Sequence, residues 1–381
     1  MSDIIRVRFA TNRNPVPGPD LFGPKFRDNN PKRYVTGSIN VVHWSDRPDS
    51  GWVPDITTLQ VDPPIDAATY QEQVHGANDI VSFARDHVAA NLALKSMARL
   101  SAYGLVLLPG FDSTFLVSMS RAAQLAHNYR ASNVFCFSWP SQGKLDLPSY
   151  KADRDAAMKS ANAIADSLRK LFAFLVALQT GSPILNIVAH SMGNYALRNA
   201  LQLIPAKERN KTLFEGAFLM AADENYDSLS KATELKPLIT LAKKVAVYKN
   251  AGDLALTVSQ VINKVSRLGA WGPRDLRKLP ATVTSVDCSD VGSTQGDNGE
   301  THYGHQYYRL SPWVIADVLQ VLAGISPDQI VGRLPAIPDD EDGHAWWLPY
   351  DSGAAFESRK LASSKSKKGR AVRKQTGRKR R

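Results

Sequence analysis

The chain has 381 residues, 43% of them hydrophobic, with 24 Gly and 22 Pro and a formal net charge of +11. That is enough for one large α/β domain with additions. No run of about 18 apolar residues suggests a transmembrane helix, and "MSDIIRVRFATNRN" lacks the basic start and apolar stretch of a signal peptide.

A short strand is predicted over residues 4–10, "IIRVRFA", followed by a long Pro-, Gly- and Asn-rich loop, "NRNPVPGPDLFGPKFRDNNP". "YVTGSINVVHW" (34–44) reads as a second strand, residues 45–70 as irregular, and 76–98 as a helix with apolar positions three and four apart. From residue 103 the pattern becomes regular. Strands are expected at 103–110, 132–141, 183–191, 215–225, 243–253 and 281–290. Helices are expected at 112–130 (with Asp112 or Ser113 as N-cap), 153–178, 194–204, 226–242, 254–266 and 311–324, where Pro312 suits the first turn. Apolar strands alternating with helices imply a mostly parallel, eight-stranded sheet with helices on both faces. Cys136 and Cys288 are too few for a disulfide framework and read as buried small hydrophobes, which fits a reducing, cytoplasmic setting. No sheet element is evident after residue 325, and residues 326–358 read as an extension packing on the 1–325 body. The last segment, 359–381, carries 12 Lys and Arg and no acid, leaving 35 basic against 36 acidic residues elsewhere. It is expected to be a disordered basic tail whose charge suits nucleic acid or an anionic membrane.

The turn Ala189-His190-Ser191-Met192-Gly193 joins an apolar strand to a helix. A nucleophilic serine needs this kind of elbow. The sharp turn lifts its hydroxyl clear of the sheet, and residues two before and two after must be small because strand and helix crowd there. The Met192 N–H, at the helix start, is a candidate oxyanion donor. A second donor is expected from the turn after an earlier strand, where "LVLLPGFDSTF" offers Gly110 for the turn and the Phe111 N–H for the bond.

Such a serine needs a base, and the base an orienting carboxylate, in the chain order Ser, acid, His at the C-terminal ends of strands. Asp253 follows the strand "KKVAVYKNAGD" and is the preferred acid, with Asp223 in "FLMAADENYD" as rival. The loop after the last strand holds His302 and His305, of which His305, nearer the closing helix, is preferred. His190 is expected behind the elbow, and Trp139 and Tyr150 near the mouth of the pocket. The histidines form no HxxxH or HExxH pattern and no cysteines are paired, which leaves His302 and His305 with Asp287 or Asp290 only as an alternative cation site; no glycine-rich phosphate loop is present. No cofactor or metal is therefore expected.

These motifs together resemble an uncharacterised, mostly bacterial α/β-hydrolase family. The resemblance rests on Ala10-Thr11-Asn12-Arg13, Pro109-Gly110-Phe111 (with Pro109 where that family has a histidine), Phe137-Ser138-Trp139-Pro140-Ser141, Ala189–Asn194, Asp253-Leu254-Ala255-Leu256 and Gly304–Tyr308, over roughly residues 4–324. It implies an α/β-hydrolase fold and a Ser191-Asp253-His305 triad, and no particular substrate. The expected activity is hydrolysis of a carboxylic ester, a lipid ester or thioester included, through an acyl-enzyme. The alternatives are acyl transfer with the same triad, or a non-catalytic binding protein on the same fold.

Overall fold

Val106 and Leu108 belong to one buried cluster, Leu105 and Leu107 to another. A strand that is apolar on both faces needs a layer on either side. The computed structural model, which describes residues 2–44, 51–61, 103–177, 185–209, 211–292, 304–336 and 344–350, provides both layers.

The strands in chain order are β1 (Ser2–Thr11), β2 (Arg13–Pro15), β3 (Phe22–Phe26), β4 (Val35–Trp44), β5 (Trp52–Val61), β6 (Gly104–Leu108), β7 (Asn133–Ser138), β8 (Leu185–His190), β9 (Phe214–Met220), β10 (Ala242–Lys249), β11 (Val283–Asp287), β12 (Leu334–Pro335) and β13 (Ala345–Trp347). Eleven of them form one sheet in the order β12-β13-β11-β10-β9-β8-β6-β7-β1-β4-β5. Pairing is parallel from β13 through to β1 and antiparallel only for β12 with β13, β1 with β4, and β4 with β5.

All eight expected strands lie in this sheet, and β5, β12 and β13 bring its strands to eleven among the described residues. β5 escaped notice because it is an edge strand with Pro54, a bulged register and mostly half-buried or exposed side chains, so it carries no apolar alternation. β12 and β13 are two and three residues long, too short for any periodicity. The expected loop after β1 contains a two-stranded ribbon, β2 with β3.

The principal helices are α1 (Phe115–Asn128), α2 (Leu147–Lys159), α3 (Ala161–Ala177), α4 (Gly193–Leu203), α5 (Leu254–Asn263) and α6 (Pro312–Leu322). α1 and α6 cover one face of the sheet, and α2, α3 and α4 the other. Three local expectations change. The N-cap of α1 is Thr114, whose hydroxyl accepts from the Val117 N–H, not Asp112 or Ser113. The single helix over 153–178 starts earlier, capped by Asp146, and divides at Ser160 into α2 and α3. Residues 226–242 hold only a 3-10 turn, Ser228–Ser230, and one short helix, Leu238–Leu241, because Pro237 has no N–H to give and Ala242 already enters β10. The expected helix at 76–98 and the basic tail lie outside the described residues. Among the described residues no helix is long and apolar enough to cross a membrane.

The chain runs from β6 to β7 on one side, then returns to place β8 on the other side of β6. In an open parallel sheet such a reversal leaves a crevice beyond the strands' carboxyl ends. Gly110 follows β6 there and Ser191 follows β8.

β13 extends the sheet beyond β11, and an ion pair fixes the segment before it. Arg333 donates from Nε and Nη2 to Asp317 of α6 at 2.5 and 2.7 Å, and the Tyr248 hydroxyl donates to the same carboxylate at 2.5 Å. Arg333 and Asp317 are both buried. Removing one partner of a buried pair leaves an uncompensated charge. Arg333→Met is expected to cost about 3–5 kcal/mol in urea unfolding; a loss under about 1 kcal/mol would show that this segment is not integral to the fold.

Candidate active site

Ser191 has φ of +52°, a left-handed value that a residue with a side chain adopts only when its surroundings force it. Several contacts do so. Its N–H bonds the Met220 carbonyl at 2.9 Å, and its own carbonyl accepts from the Asp223 N–H and the Asn194 amide at 3.1 Å each. The small residues around it are sterically required. A Cβ at Gly193 would lie 2.2 Å from the Leu108 carbonyl oxygen, and one at Gly110 would lie 2.7 Å from the Ser191 Cβ. The ends of β6 and β8 therefore meet at the serine with no space for a methyl group between them.

Asp253 is fully buried and caps α5, with Oδ1 accepting from the Leu256 N–H at 3.0 Å. Its Oδ2 lies 2.6 Å from His305 Nδ1. A carboxylate can only accept, so Nδ1 carries the hydrogen, and in the neutral ring Nε2 is the nitrogen left with a lone pair. The structure thus brings the preferred acid and the preferred histidine together. The rival histidine, His302, falls outside the described residues.

The rival acid, Asp223, is engaged elsewhere. It accepts from the Tyr150 hydroxyl at 2.8 Å and from the Ser259 hydroxyl, with Arg267 Nε at 3.5 Å. Tyr150 in turn packs edge-on against Phe111 with ring centroids 5.6 Å apart. The Asp223 network therefore abuts the Phe111 turn and does not reach the histidine ring.

His190 lies behind the elbow. Its ring stacks on Tyr308 at 4.3 Å and sits 4.7 Å from the His305 ring. Its Nε2–H donates to the His305 carbonyl at 3.1 Å, and Nδ1 is buried without a hydrogen-bond partner. Burial, with the nearby His305 charge as a second cause, pushes the His190 pKa well below the ordinary 6.5 and keeps the ring neutral.

Sequence reasoning did not single out Asn250, which joins the acid and histidine loops. Its Nδ2 donates to the Gly304 carbonyl at 2.8 Å, and its Oδ1 accepts from the Gly252 N–H at 2.9 Å. Gly304 has φ of +74°, and a Cβ there would lie 2.6 Å from that same Nδ2. Tyr307 adds a second tie: its hydroxyl donates to the Tyr248 carbonyl at 2.7 Å and accepts from the Ala221 N–H at 3.0 Å. Gly-His-Gln-Tyr-Tyr is thus a fitted segment, with Gly304 on Asn250, His305 on Asp253, Tyr307 on the ends of β9 and β10, and Tyr308 on His190. The signal available in sequence was the asparagine three residues before the acid.

Fold and site together define an α/β hydrolase. A family model described as "Alpha/beta hydrolase of unknown function (DUF900)" matches residues 89–323, and the chain belongs to that family. No curated protein and no solved structure matches the chain.

The neutral His190 makes folding sensitive to pH in a definite sense. In the unfolded chain it binds a proton below about 6.5; in the fold it does not, so this group's contribution falls as pH drops through 6.5. His190→Phe removes that loss. The stability of wild type relative to His190→Phe is expected to fall by up to about 2 kcal/mol between about pH 7.5 and about pH 5. Urea unfolding at both pH values checks it, and a pH-independent difference would mean that His190 protonates normally in the fold.

Proposed function

We propose that the protein is a serine hydrolase that cleaves a carboxylic ester through an acyl-enzyme. The observation that carries this reading is the 2.6 Å contact between His305 Nδ1 and Asp253 Oδ2, which orients an imidazole beside the elbow that holds Ser191 at φ +52°.

Ser191 Oγ attacks the ester carbonyl while His305 Nε2 takes its proton. Asp253 holds the tautomer with hydrogen on Nδ1 and stabilises the imidazolium that forms. The negative charge on the tetrahedral oxygen is received by the Phe111 and Met192 N–H groups, each donor contributing about 10²–10³ in rate. The alcohol leaves with the proton from Nε2. Water, deprotonated by the same nitrogen, then releases the acid and restores the serine. An apolar acyl or alcohol group is supported by α5, which Asp253 caps and which exposes Leu254, Val258 and Val261. The class of substrate is therefore an ester with an apolar portion, a small molecule or a lipid.

Hydrolysis of a panel of p-nitrophenyl and glyceride esters of increasing chain length tests the reading. Wild type is expected to turn over, and Ser191→Ala and His305→Ala to lose about 10⁴-fold or more in kcat/KM. Asp253→Asn, which keeps shape but supplies the wrong hydrogen-bond partner, is expected to lose about 10⁴-fold in kcat. Activity that survives Ser191→Ala would refute the mechanism. Product esters formed when a second alcohol is added would shift it toward acyl transfer.

A further inference from the structure

Arg13 lies ahead of the segment matched by the family model, in the Ala10-Thr11-Asn12-Arg13 stretch, and plays no part in the chemistry above. It is almost fully buried. A buried guanidinium ordinarily pairs directly with a carboxylate. The hydrogen bonds of Arg13 go to neutral oxygens instead. Nε–H donates to the Ser138 hydroxyl at 3.0 Å, Nη1 to the Gly23 and Ser141 carbonyls at 3.2 and 3.1 Å, and Nη2 to the Ser113 carbonyl at 2.5 Å. The compensating charge comes from Asp153, itself held by the Ser141 hydroxyl and the Gln142 N–H. Burial works against the charge on Arg13, and Asp153 works for it.

These acceptors belong to β3, the end of β7, the loop beyond it, and the turn after β6. That last turn, residues 109–114, holds the Phe111 N–H. It contains a proline, a glycine and Asp112 at φ +55°, and Gly110 presses on Ser191. Its two ends are fixed by different side chains. The Trp139 Nε1–H donates to the Pro109 carbonyl at 2.9 Å, and Arg13 holds the Ser113 carbonyl. The Ser113 N–H also bonds the Ser141 hydroxyl at 3.1 Å, on the segment that Arg13 clamps. The peptide between Gly110 and Phe111 is thus suspended between two tethered carbonyls.

We propose that Arg13 is a positioning residue for the oxyanion hole: its fork fixes the 109–114 turn against β7 and so aims the Phe111 N–H at the developing negative charge. The proposal rests on the reading of Phe111 as an oxyanion donor. A donor that is aimed loosely stabilises the transition state less and leaves substrate binding nearly unchanged.

The test compares wild type with Arg13→Gln, Arg13→Lys and Trp139→Phe in ester turnover and in affinity for a trifluoromethyl ketone, which forms a tetrahedral adduct with an active serine. Arg13→Gln is expected to lower kcat about 10²-fold with KM within about twofold, and to weaken the ketone in the same proportion. Arg13→Lys does not restore it, because an ammonium keeps the charge without the planar fork. Trp139→Phe, which removes only the other tether, lowers both quantities by a smaller factor, about 10-fold. Unchanged ketone affinity in a folded Arg13→Gln, or a rise in KM alone, overturns the proposal. If the Arg13 variants fail to fold, Ser138→Ala, which removes the acceptor of the Arg13 Nε–H, decides it by the same two readouts: lowered kcat and ketone affinity support the proposal, and both unchanged overturn it. A wild type that neither turns over esters nor binds the ketone removes the hydrolase reading, and this proposal with it. An active wild type whose variants keep ketone affinity removes this proposal alone.

Discussion

The approach of β6 to β8 at Ser191 is the constraint on which the rest depends. The Leu108 carbonyl stands where a Cβ of residue 193 would be, and Gly110 stands against the serine Cβ. That fit holds the left-handed backbone of Ser191, and it brings together the ends of β6 and β8, where the sheet order reverses. A residue held in this region costs of order 1–3 kcal/mol and persists only when its surroundings over-determine it. Here they do so through the Met220 carbonyl on one side and the Asp223 and Asn194 N–H groups on the other.

Around that point the molecule uses polar groups to set loops, and apolar ones to set layers. The two buried clusters hold helices on both faces without regard to chemistry. Loop positions come from few, fully engaged side chains. Asn250 and Tyr307 tie the acid and histidine segments to the sheet, and Arg13 and Trp139 tie the turn that carries Phe111. This bears on Pro109, which takes a position where the resembled family has histidine. The turn needs no histidine side chain to hold it, because both its ends are fixed from neighbouring strands. Hydrogen bonds from buried side chains to backbone carbonyls define position more sharply than apolar contacts do, because they are directional and costly to leave unmade.

Much of this was legible in the sequence because it depends on local pattern. The inner strands β6, β7, β8 and β9 are near-continuous apolar runs, and the small-His-Ser-Met-Gly turn declares its own crowding. Asp253 and His305 were found from chain order and the ends of strands, and they lie 2.6 Å apart. What escaped depends on partners far along the chain. β5 and β13 exist because a sheet edge was waiting for them, which nothing within WVPDITTLQV or AWW indicates. The break at Ser160 coincides with a bond from Asn12, 148 residues away. Helix propensity over 226–242 lost to Pro237 and to the strand that begins at Ala242. Arg13, at the start of the three-residue strand β2, and Asn250, in a loop, are single polar residues whose contacts appear only once the elements they join are in place.

The most direct measurement is the site of covalent labelling. Wild-type protein treated with a fluorophosphonate and digested should yield one phosphonylated peptide, with the adduct on Ser191 Oγ, and the adduct should form far more slowly in His305→Ala. A folded protein that takes up no label, or takes it up on a serine other than Ser191, would contradict the assignment of Ser191 as an activated nucleophile.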